Sequence, residues 1–262
     1  MSSHFEDATH VATSPRVTFV FIRHGEAHES RCDHDNKLLR QAHDEETQEM
    51  LAKARANPCL TERGVKQARE TEKHLRAAML AAKENGDDLK IFCSPMNRAK
   101  DTLYQFLRHS DQPFRRVPIY YQRTMLEYQP EIHETAEKFV DQMLSLFSRL
   151  EAEAKNAELR TTIFLFGHSV MISTILLILA THNHKKTHRE HRRCVLERML
   201  VPQSRELVDD PFELANCSIS VAHAWRGVID EAVDFVEWKI LAAGKSDHLR
   251  AAGLLTGYQS DF

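Results

Sequence analysis

The stretch Val17-Thr18-Phe19-Val20-Phe21-Ile22-Arg23-His24-Gly25-Glu26 decides how the rest of the sequence is interpreted. Its first six residues are β-branched or aromatic, which is typical of a buried strand. The run ends in an arginine, a histidine and a glycine. A strand that ends in this way brings a fixed cation and an imidazole to the carboxyl edge of a sheet, where open α/β folds bind their ligands. We therefore expect a ligand site at this strand end.

Short apolar stretches alternate with amphipathic ones along the first two-thirds of the chain. Further strands are predicted at Leu89–Cys93, Val117–Tyr121, Thr162–Phe166, Cys217–Ala224 and Ala232–Leu241, the last two around an Arg226-Gly227 turn. The stretches between the first four strands have the apolar repeat of helices. This order predicts an α/β fold: a three-layer sandwich in which helices flank a mainly parallel mixed sheet that ends in a hairpin.

Helix boundary signals support this order. Thr61 can cap the helix that follows it, and Gly86 is placed to end that helix. Ser94 and Pro95 suit the start of the next helix, so Arg98 is expected in its first turn. Two further helices are predicted, over Glu134–Leu159 and Val170–Ala180.

Composition limits the class of protein. The chain is 42% hydrophobic and 28% charged, as in ordinary soluble domains, and its net charge of −3 gives no reason to expect a nucleic-acid partner. Five cysteines without a CxxC pair do not suit a disulfide framework or a zinc ribbon, and they favour a reducing, cytoplasmic location. Thr161–Thr181 is apolar, but Gly167-His168-Ser169 interrupts it, so no membrane span is expected.

We expect one catalytic domain over residues 17–257, with insertions at residues 27–58 and 182–195. Residues 1–16 lack the apolar segment of a signal peptide and are predicted to be a disordered tail. Residues 258–262 are expected to form a C-terminal tail. The terminal hairpin would leave a sheet edge that could pair with a second copy, so a homodimer stays open.

Three predicted strand ends carry cationic or imidazole side chains: Arg23 with His24, then Arg98, then His168. Two guanidinium groups and two imidazoles at one sheet edge form a pocket for a tetrahedral dianion, because the arginine fork matches phosphate oxygens. A histidine held among arginines is pushed toward its neutral form, which a nucleophile requires. The sequence therefore predicts a phosphate site with a histidine nucleophile.

Five short motifs are specific as a combination because of their order and spacing. They are Arg23-His24-Gly25-Glu26, Leu60-Thr61-Glu62-Arg63-Gly64, Ser94-Pro95-Met96-Asn97-Arg98-Ala99-Lys100-Asp101-Thr102, Gly167-His168-Ser169 and Asn216-Cys217-Ser218-Ile219-Ser220. With them the chain resembles the histidine phosphatase (phosphoglycerate mutase-like) superfamily, over Val17 to Gly257. The resemblance implies that fold and a phosphomonoesterase activity with no metal or other cofactor.

The resemblance also implies residue roles. His24 would be the nucleophile that forms a phosphohistidine intermediate. Arg23, Arg98 and His168 would bind the phosphoryl group and stabilise its charge during transfer, with Ser169 as a further phosphate-binding residue. The substrate would be a phosphorylated small molecule or a phosphoprotein.

The leaving group needs a proton, and the family usually places a glutamate after the third strand. Glu127 occupies that place, and Glu127-Tyr128-Gln129-Pro130 is most similar to the protein-phosphatase branch of the family. Glu131 and Glu134 are close enough in sequence to stay open as rivals. The acidic motif of the mutase loop is not clearly present, which counts against a glycolytic mutase. A phosphoglycerate mutase-type phosphotransferase is kept as an alternative. A catalytically weak phospho-ligand-binding scaffold is another.

Two other enzyme classes fit less well. A serine hydrolase elbow would need a glycine where Met171 stands, and it would leave the arginines unexplained. A cysteine phosphatase would need five residues between its cysteine and arginine, whereas Cys93 and Arg98 have four between them.

A basic, histidine-rich segment spans residues 182–193. His184, His188 and His191 have helical spacing and could bind a transition metal, but a solvated basic loop is the preferred interpretation, and no metal site is expected. The cations of this segment could instead form a rim that attracts polyanionic or phosphoprotein substrates. They are Lys185, Lys186, Arg189, Arg192 and Arg193.

Overall fold

The computed structural model describes residues 17–27, 57–109, 116–126, 135–182, 188–199, 214–229 and 233–255. Within these ranges the strands are β1 (Val17–Arg23), β2 (Asp88–Cys93), β3 (Ile119–Tyr121), β4 (Thr161–Gly167), β5 (Ile219–Ile229) and β6 (Val233–Lys245). The α-helices are α1 (Glu62–Glu84), α2 (Asn97–His109), α3 (Ala136–Asn156), α4 (Ser169–Thr181), α5 (His188–Met199) and α6 (Asp247–Ala251). A single 3₁₀ turn at Arg123–Met125 follows β3.

The strands form one sheet in the order β3-β2-β4-β1-β5-β6. β2 pairs in parallel with β3 and with β4, and β4 pairs in parallel with β1. β5 is antiparallel to both β1 and β6. The predicted mainly parallel mixed sheet with a terminal hairpin is therefore confirmed.

Helices cover both faces of this sheet because alternate residues of each strand point to opposite sides. In β1, Phe19 and Phe21 belong to the hydrophobic core that includes α3 and α4. Val20 and Ile22 belong to the core that includes α1 and α2 on the other face. The sheet is thus the middle layer of a three-layer sandwich, as predicted. Among the described residues, no helix combines the length and apolar character needed to cross a bilayer.

The predicted turn at Arg226-Gly227 is wrong. Both residues lie inside β5, where Arg226 pairs with Val236 and Gly227 with Phe235. A Cβ atom added at Gly227 would lie 2.3 Å from the Phe235 ring, so this glycine makes room for an aromatic side chain across the hairpin. The connection between the strands falls later, at residues 230–232, outside the described residues.

Other boundaries shift by smaller amounts. β3 begins at Ile119 because Pro118 has no N–H to donate, although its carbonyl still accepts a hydrogen bond from Ile91 N at 3.1 Å. The helix predicted over Glu134–Leu159 is α3, which ends at Asn156. Thr61 caps α1 by accepting from Gly64 N at 3.0 Å, and Gly86, with φ +76°, follows its end as predicted.

The prediction of a solvated basic loop is wrong for the part of the segment that is described. Residues 188–199 form α5, because His191 and Val195 lie one turn apart and both are buried against the core. Arg192 pairs with Asp141 of α3, and Arg189 and Arg193 are exposed. Lys185, Lys186 and His184 lie outside the described residues. No cluster of three or more metal-ligating side chains occurs in the described parts of the chain.

The predicted tails at residues 1–16 and 258–262 also lie outside the described residues, as does the insertion at residues 27–58 except at its two ends. At its returning end, the Asn57 carbonyl and side-chain oxygens accept hydrogen bonds from Asn97 at 3.0 and 2.6 Å. The chain thus re-enters the fold against the first residue of α2, one position before Arg98.

Candidate active site

The carboxyl ends of three neighbouring strands meet at one edge of the sheet. β4 lies between β2 and β1, with Arg23 paired to Gly167 and Cys93 paired to Phe166. The pairing continues past the strands, because His24 N donates to Gly167 O and Ser94 N donates to Phe166 O, each at 2.9 Å. Residues that follow these strands are therefore brought together although they are far apart in sequence.

The His24 imidazole has a defined tautomer. Its Nδ1 lies 2.7 Å from the Gly25 carbonyl oxygen, which can only accept a hydrogen bond, so Nδ1 carries the proton in the neutral ring. The lone pair is then on Nε2. His24 is 5% exposed, and its ring centroid lies 5.2 Å from that of His168.

His168 lies between an arginine and a serine in the interior of the site. Arg98 Nε donates to its Nδ1 at 3.2 Å, so the proton of the neutral ring is on Nε2, which donates to Ser94 Oγ at 2.8 Å. Burial, followed by the positive charges of Arg98 and Arg23, lowers the pKa of His168 well below 6.5. His168 is therefore neutral, as expected for a histidine held among arginines.

The α4 amino terminus adds a positive partial charge at the same place. His168 is the N-cap of α4, and Ser169 is its first residue, buried directly beside the pocket. Helix amino termini attract anions because their first N–H groups point outward along the axis. Two guanidinium groups, a helix terminus and a neutral imidazole together favour a dianionic ligand.

The two arginines are held in different ways, Arg23 by backbone carbonyl groups and Arg98 by burial. Arg23 Nη1 donates to Leu214 O, and its backbone N donates to Ser218 O at 3.2 Å. Arg98 is 1% exposed in the first turn of α2, as predicted from the Ser-Pro start signal. Arginine is charged at any working pH, so both side chains supply fixed positive charge to the pocket.

The peptide groups around His24 are fixed by partners from two distant parts of the chain. Gly25 N donates to Thr102 Oγ1 at 3.0 Å, and Thr102 Oγ1 donates to Arg98 O at 2.7 Å. On the other side, His24 O accepts from Cys217 N at 3.1 Å and from Asn216 Nδ2 at 3.3 Å. Cys217 adopts a φ of +55°, an uncommon conformation for a residue with a side chain. The strain is located where the chain meets His24.

Gly25 and Gly64 are required by a close approach of two backbone segments. A Cβ atom at Gly25 would lie 2.6 Å from Gly64 O, and one at Gly64 would lie 2.1 Å from Glu26 O. Thr61 joins the same contact, since its N donates to Glu26 O at 2.9 Å and its hydroxyl to Glu26 Oε1 at 2.8 Å. The first two quoted motifs are therefore the two sides of one contact.

One family model matches part of the chain. Residues 19–119 match the family model described as the histidine phosphatase superfamily (branch 1). The matched residues are less than half of the chain, and over them the chain is similar to that superfamily. No curated protein matches the chain at the level of sequence.

Solved structures that match the chain show its fold. A mycobacterial hydrolase is 12% identical with a TM-score of 0.50, and the match covers 88% of this chain and 99% of that one. Phosphoglycerate mutase from Bacillus anthracis is 14% identical, with a TM-score of 0.49 and coverage of 92% and 99%. Mycobacterial glucosyl-3-phosphoglycerate phosphatase is also 14% identical, with a TM-score of 0.49 and coverage of 88% and 100%. The match to the hydrolase, with a TM-score of 0.50, shows that the chain shares the fold of that protein.

Most of the predicted site residues are brought together, and the acid is not described. Arg23, His24, Arg98 and His168 share the pocket, with Ser169 next to it. The acid candidates Glu127, Glu131 and Glu134 lie outside the described residues.

Four polar residues that contact this machinery were not predicted: Ser94, Thr102, Gln67 and Asn216. Thr102 could have been found from its position one turn after Arg98. The contact of Ser94 with His168 depends on β2 and β4 being neighbours, which the sequence does not indicate.

Cys93 lies beside the pocket but does not have the character of a nucleophile. Burial raises the pKa of its thiol to about 12, with Lys100 opposing the shift. Its Sγ lies 3.2 Å from Ser94 O, to which the thiol donates. A thiol with this pKa stays protonated at neutral pH, so Cys93 fits a buried strand-end residue, as expected.

Proposed function

We propose that this protein is a phosphatase that hydrolyses phosphomonoesters through a phosphohistidine on His24. The observation that carries the proposal is the hydrogen bond of His24 Nδ1 to Gly25 O, which leaves the lone pair on Nε2, 5.2 Å (ring to ring) from a neutral His168 held by Arg98. A phosphoryl group bound by the arginines would meet this lone pair. The match of residues 19–119 to the family model of the histidine phosphatase superfamily supports the same chemistry.

The reaction has two balanced steps. In the first, the Nε2 lone pair attacks phosphorus, the bond between phosphorus and the ester oxygen breaks, and the departing oxygen takes a proton from an acid. In the second, water attacks the phosphohistidine, the P–N bond breaks, and the same carboxylate accepts the water proton. Arg23 and Arg98 neutralise the phosphoryl oxygens in both steps, so the positive charge is supplied by side chains.

The acid in this proposal is Glu127, with Glu131 and Glu134 as rivals. The support is its place in the sequence after β3, where the family carries a glutamate. Measuring the pH dependence of kcat for Glu127→Gln tests it: loss of the acid should remove the alkaline limb of the profile and should be less severe for substrates with good leaving groups. Equal losses of kcat with good and poor leaving groups would indicate that the acid is Glu131 or Glu134 instead.

Phosphoproteins are proposed as one substrate class, because Glu127-Tyr128-Gln129-Pro130 is similar to the protein-phosphatase branch of the family. Phosphorylated small molecules are the other. Parallel assays with phosphopeptides and with small phosphate esters decide between them by comparison of kcat/KM values.

The central experiment is trapping of the intermediate. Wild-type protein and His24→Ala are incubated with a ³²P-labelled aryl phosphate and quenched, and the label is tested for acid lability. Acid-labile label on the wild type alone, with turnover, is expected. His74→Ala, which replaces an exposed histidine of α1, is the control and should label like the wild type.

Other results identify the alternatives. Transfer of the label to an added alcohol acceptor in preference to water would favour a phosphotransferase of the mutase type. Binding of phosphate esters without label or turnover would favour a phospho-ligand-binding scaffold. Acid-stable label would exclude a phosphohistidine.

A further inference from the structure

Gln67 of α1 is a fully buried amide that connects two distant parts of the chain. Its Oε1 accepts a hydrogen bond from Glu26 N at 2.8 Å, and its Nε2 donates to Leu254 O at 2.9 Å. The two partners define the orientation of the amide, because a backbone N–H can only donate and a carbonyl can only accept. A side chain held at both ends in this way is restrained in rotation.

The bond to Glu26 N reaches the nucleophile through a single peptide group. Glu26 N and the Gly25 carbonyl belong to the same peptide unit, and that carbonyl accepts the proton of His24 Nδ1. The plane of this peptide therefore determines whether its oxygen faces the imidazole. Gln67 holds the N–H side of the plane, so it also fixes the direction of the carbonyl on the other side.

We infer that Gln67 is a positioning residue for His24. By holding the Gly25–Glu26 peptide, it keeps the proton on Nδ1 and the lone pair on Nε2, the atom that attacks phosphorus. The inference rests on the proposed function for the role of His24 as the nucleophile. In this scheme Gln67 acts through the peptide group.

The other end of Gln67 is fixed by the segment Ser246–Leu255, which contains α6. Leu255 packs with Ala68 of α1, with Leu249 of α6 and with Cys217, and Arg63 Nη2 donates to Leu255 O at 3.2 Å. The segment is thus attached to α1 on both sides of the Gln67 contact. Ser246–Leu255 is the support on which the position of Gln67, and through it the tautomer of His24, depends.

The decisive variant is Gln67→Met, which keeps the length and approximate volume of the side chain but can neither accept from Glu26 N nor donate to Leu254 O. We expect kcat to fall about three- to tenfold, the factor that one neutral hydrogen bond provides. KM should stay within about twofold, since Arg23, Arg98 and His168 are untouched. In ¹⁵N NMR spectra, neutral His24 should change from the Nδ1-protonated form to a mixture of tautomers.

Glu72→Met is the matched control. Glu72 is also buried on α1, and its carboxylate accepts two hydrogen bonds from Arg76 of the same helix, at 2.9 and 2.7 Å. Its loss should lower stability and leave the His24 tautomer and kcat unchanged. Gln67→Glu, which keeps an acceptor oxygen for Glu26 N, should recover part of the lost kcat.

An unchanged His24 tautomer and kcat in Gln67→Met would overturn the inference, as would equal losses of kcat in Gln67→Met and Glu72→Met. If Gln67→Met does not fold, Gln67→Asn is measured in the same way, because its shorter amide cannot reach both partners. If the wild type turns over no phosphate ester, the proposed function fails, and the NMR comparison still decides whether Gln67 sets the tautomer.

Discussion

Two pairs of histidine rings lie at opposite ends of α4 with nearly the same geometry and very different surroundings. The centroids of His24 and His168 are 5.2 Å apart with the rings inclined by 58°, and those of His182 and His191 are 5.5 Å apart with an inclination of 50°. A helix of this length separates the two pairs by about 20 Å. Ring proximity alone does not distinguish them.

The residues that surround each histidine pair distinguish the two pairs. His168 is bonded to Arg98 and Ser94, and it caps the amino terminus of α4, where an anion is stabilised. The other pair follows the carboxyl terminus of α4 and packs on an aromatic side chain: Phe147 lies 4.9 Å from His182 and 5.8 Å from His191, ring to ring. The first pair is in a cationic pocket, and the second is part of a hydrophobic core. The charges placed around a histidine pair therefore decide which ligands and which chemistry the pair can support.

The largest effect is expected from removing the arginine that contacts the first histidine pair. Arg98→Met should lower kcat/KM toward a phosphate ester by about 10²- to 10³-fold, because the buried guanidinium would stabilise charge in the transition state. Arg192→Met is the control near the second pair, where Arg192 makes an exposed ion pair with Asp141. Steady-state assays should show less than a twofold change for it. Similar losses of kcat/KM in Arg98→Met and Arg192→Met would show that the surroundings of the two histidine pairs do not differ in this respect.

The contrast between the pairs also shows what the sequence could predict. Arg23, His24 and His168 were recognisable because each follows an apolar run that reads as a strand, and Arg98 because a Ser-Pro signal precedes it. These are local signals. No such signal precedes His191, whose charged neighbours led to its interpretation as a solvated residue, and it is 7% exposed.

The contacts that the sequence did not predict join residues that are far apart along the chain. The contact of Ser94 with His168 joins residues 74 positions apart, and that of Gln67 with Leu254 joins residues 187 positions apart. Such contacts depend on strand order and on where the C-terminal segment lies, and neither has a periodic signature. The turn predicted at Arg226-Gly227 was wrong for a similar reason, since the role of Gly227 is to accommodate Phe235 from the neighbouring strand.

A second, smaller effect concerns acid stability. The pKa of folded His168 is well below 6.5, first through burial and then through Arg98 and Arg23. Between the two pKa values the unfolded chain binds one more proton than the folded chain, so the free energy of unfolding should fall as the pH is lowered from about 6.5. The slope contributed by one histidine is at most about 1.4 kcal/mol per pH unit. His248, whose pKa is lowered to about 4 mainly by burial, should add to it.

Urea unfolding of the wild type and of His168→Asn at several pH values between 7 and 5 measures this slope. The variant is expected to be less stable at pH 7, because Arg98 loses its partner, and to have a shallower dependence on pH. Parallel curves for the two proteins would show that His168 does not resist protonation. His248→Asn, measured alongside, separates the contribution of the C-terminal segment.

The smallest effect is expected from the second pair itself. His191 Nε2 lies 3.3 Å from Ile178 O, to which it donates inside the core, so His191→Leu should lower the free energy of unfolding by about 1 kcal/mol through loss of one hydrogen bond. The kcat of His191→Leu should remain within about twofold of the wild type, because α4 separates this pair from the His24–His168 pocket by about 20 Å. A tenfold loss of kcat with little loss of stability would instead indicate that α4 couples the two histidine pairs. The second pair could then no longer be described as purely structural.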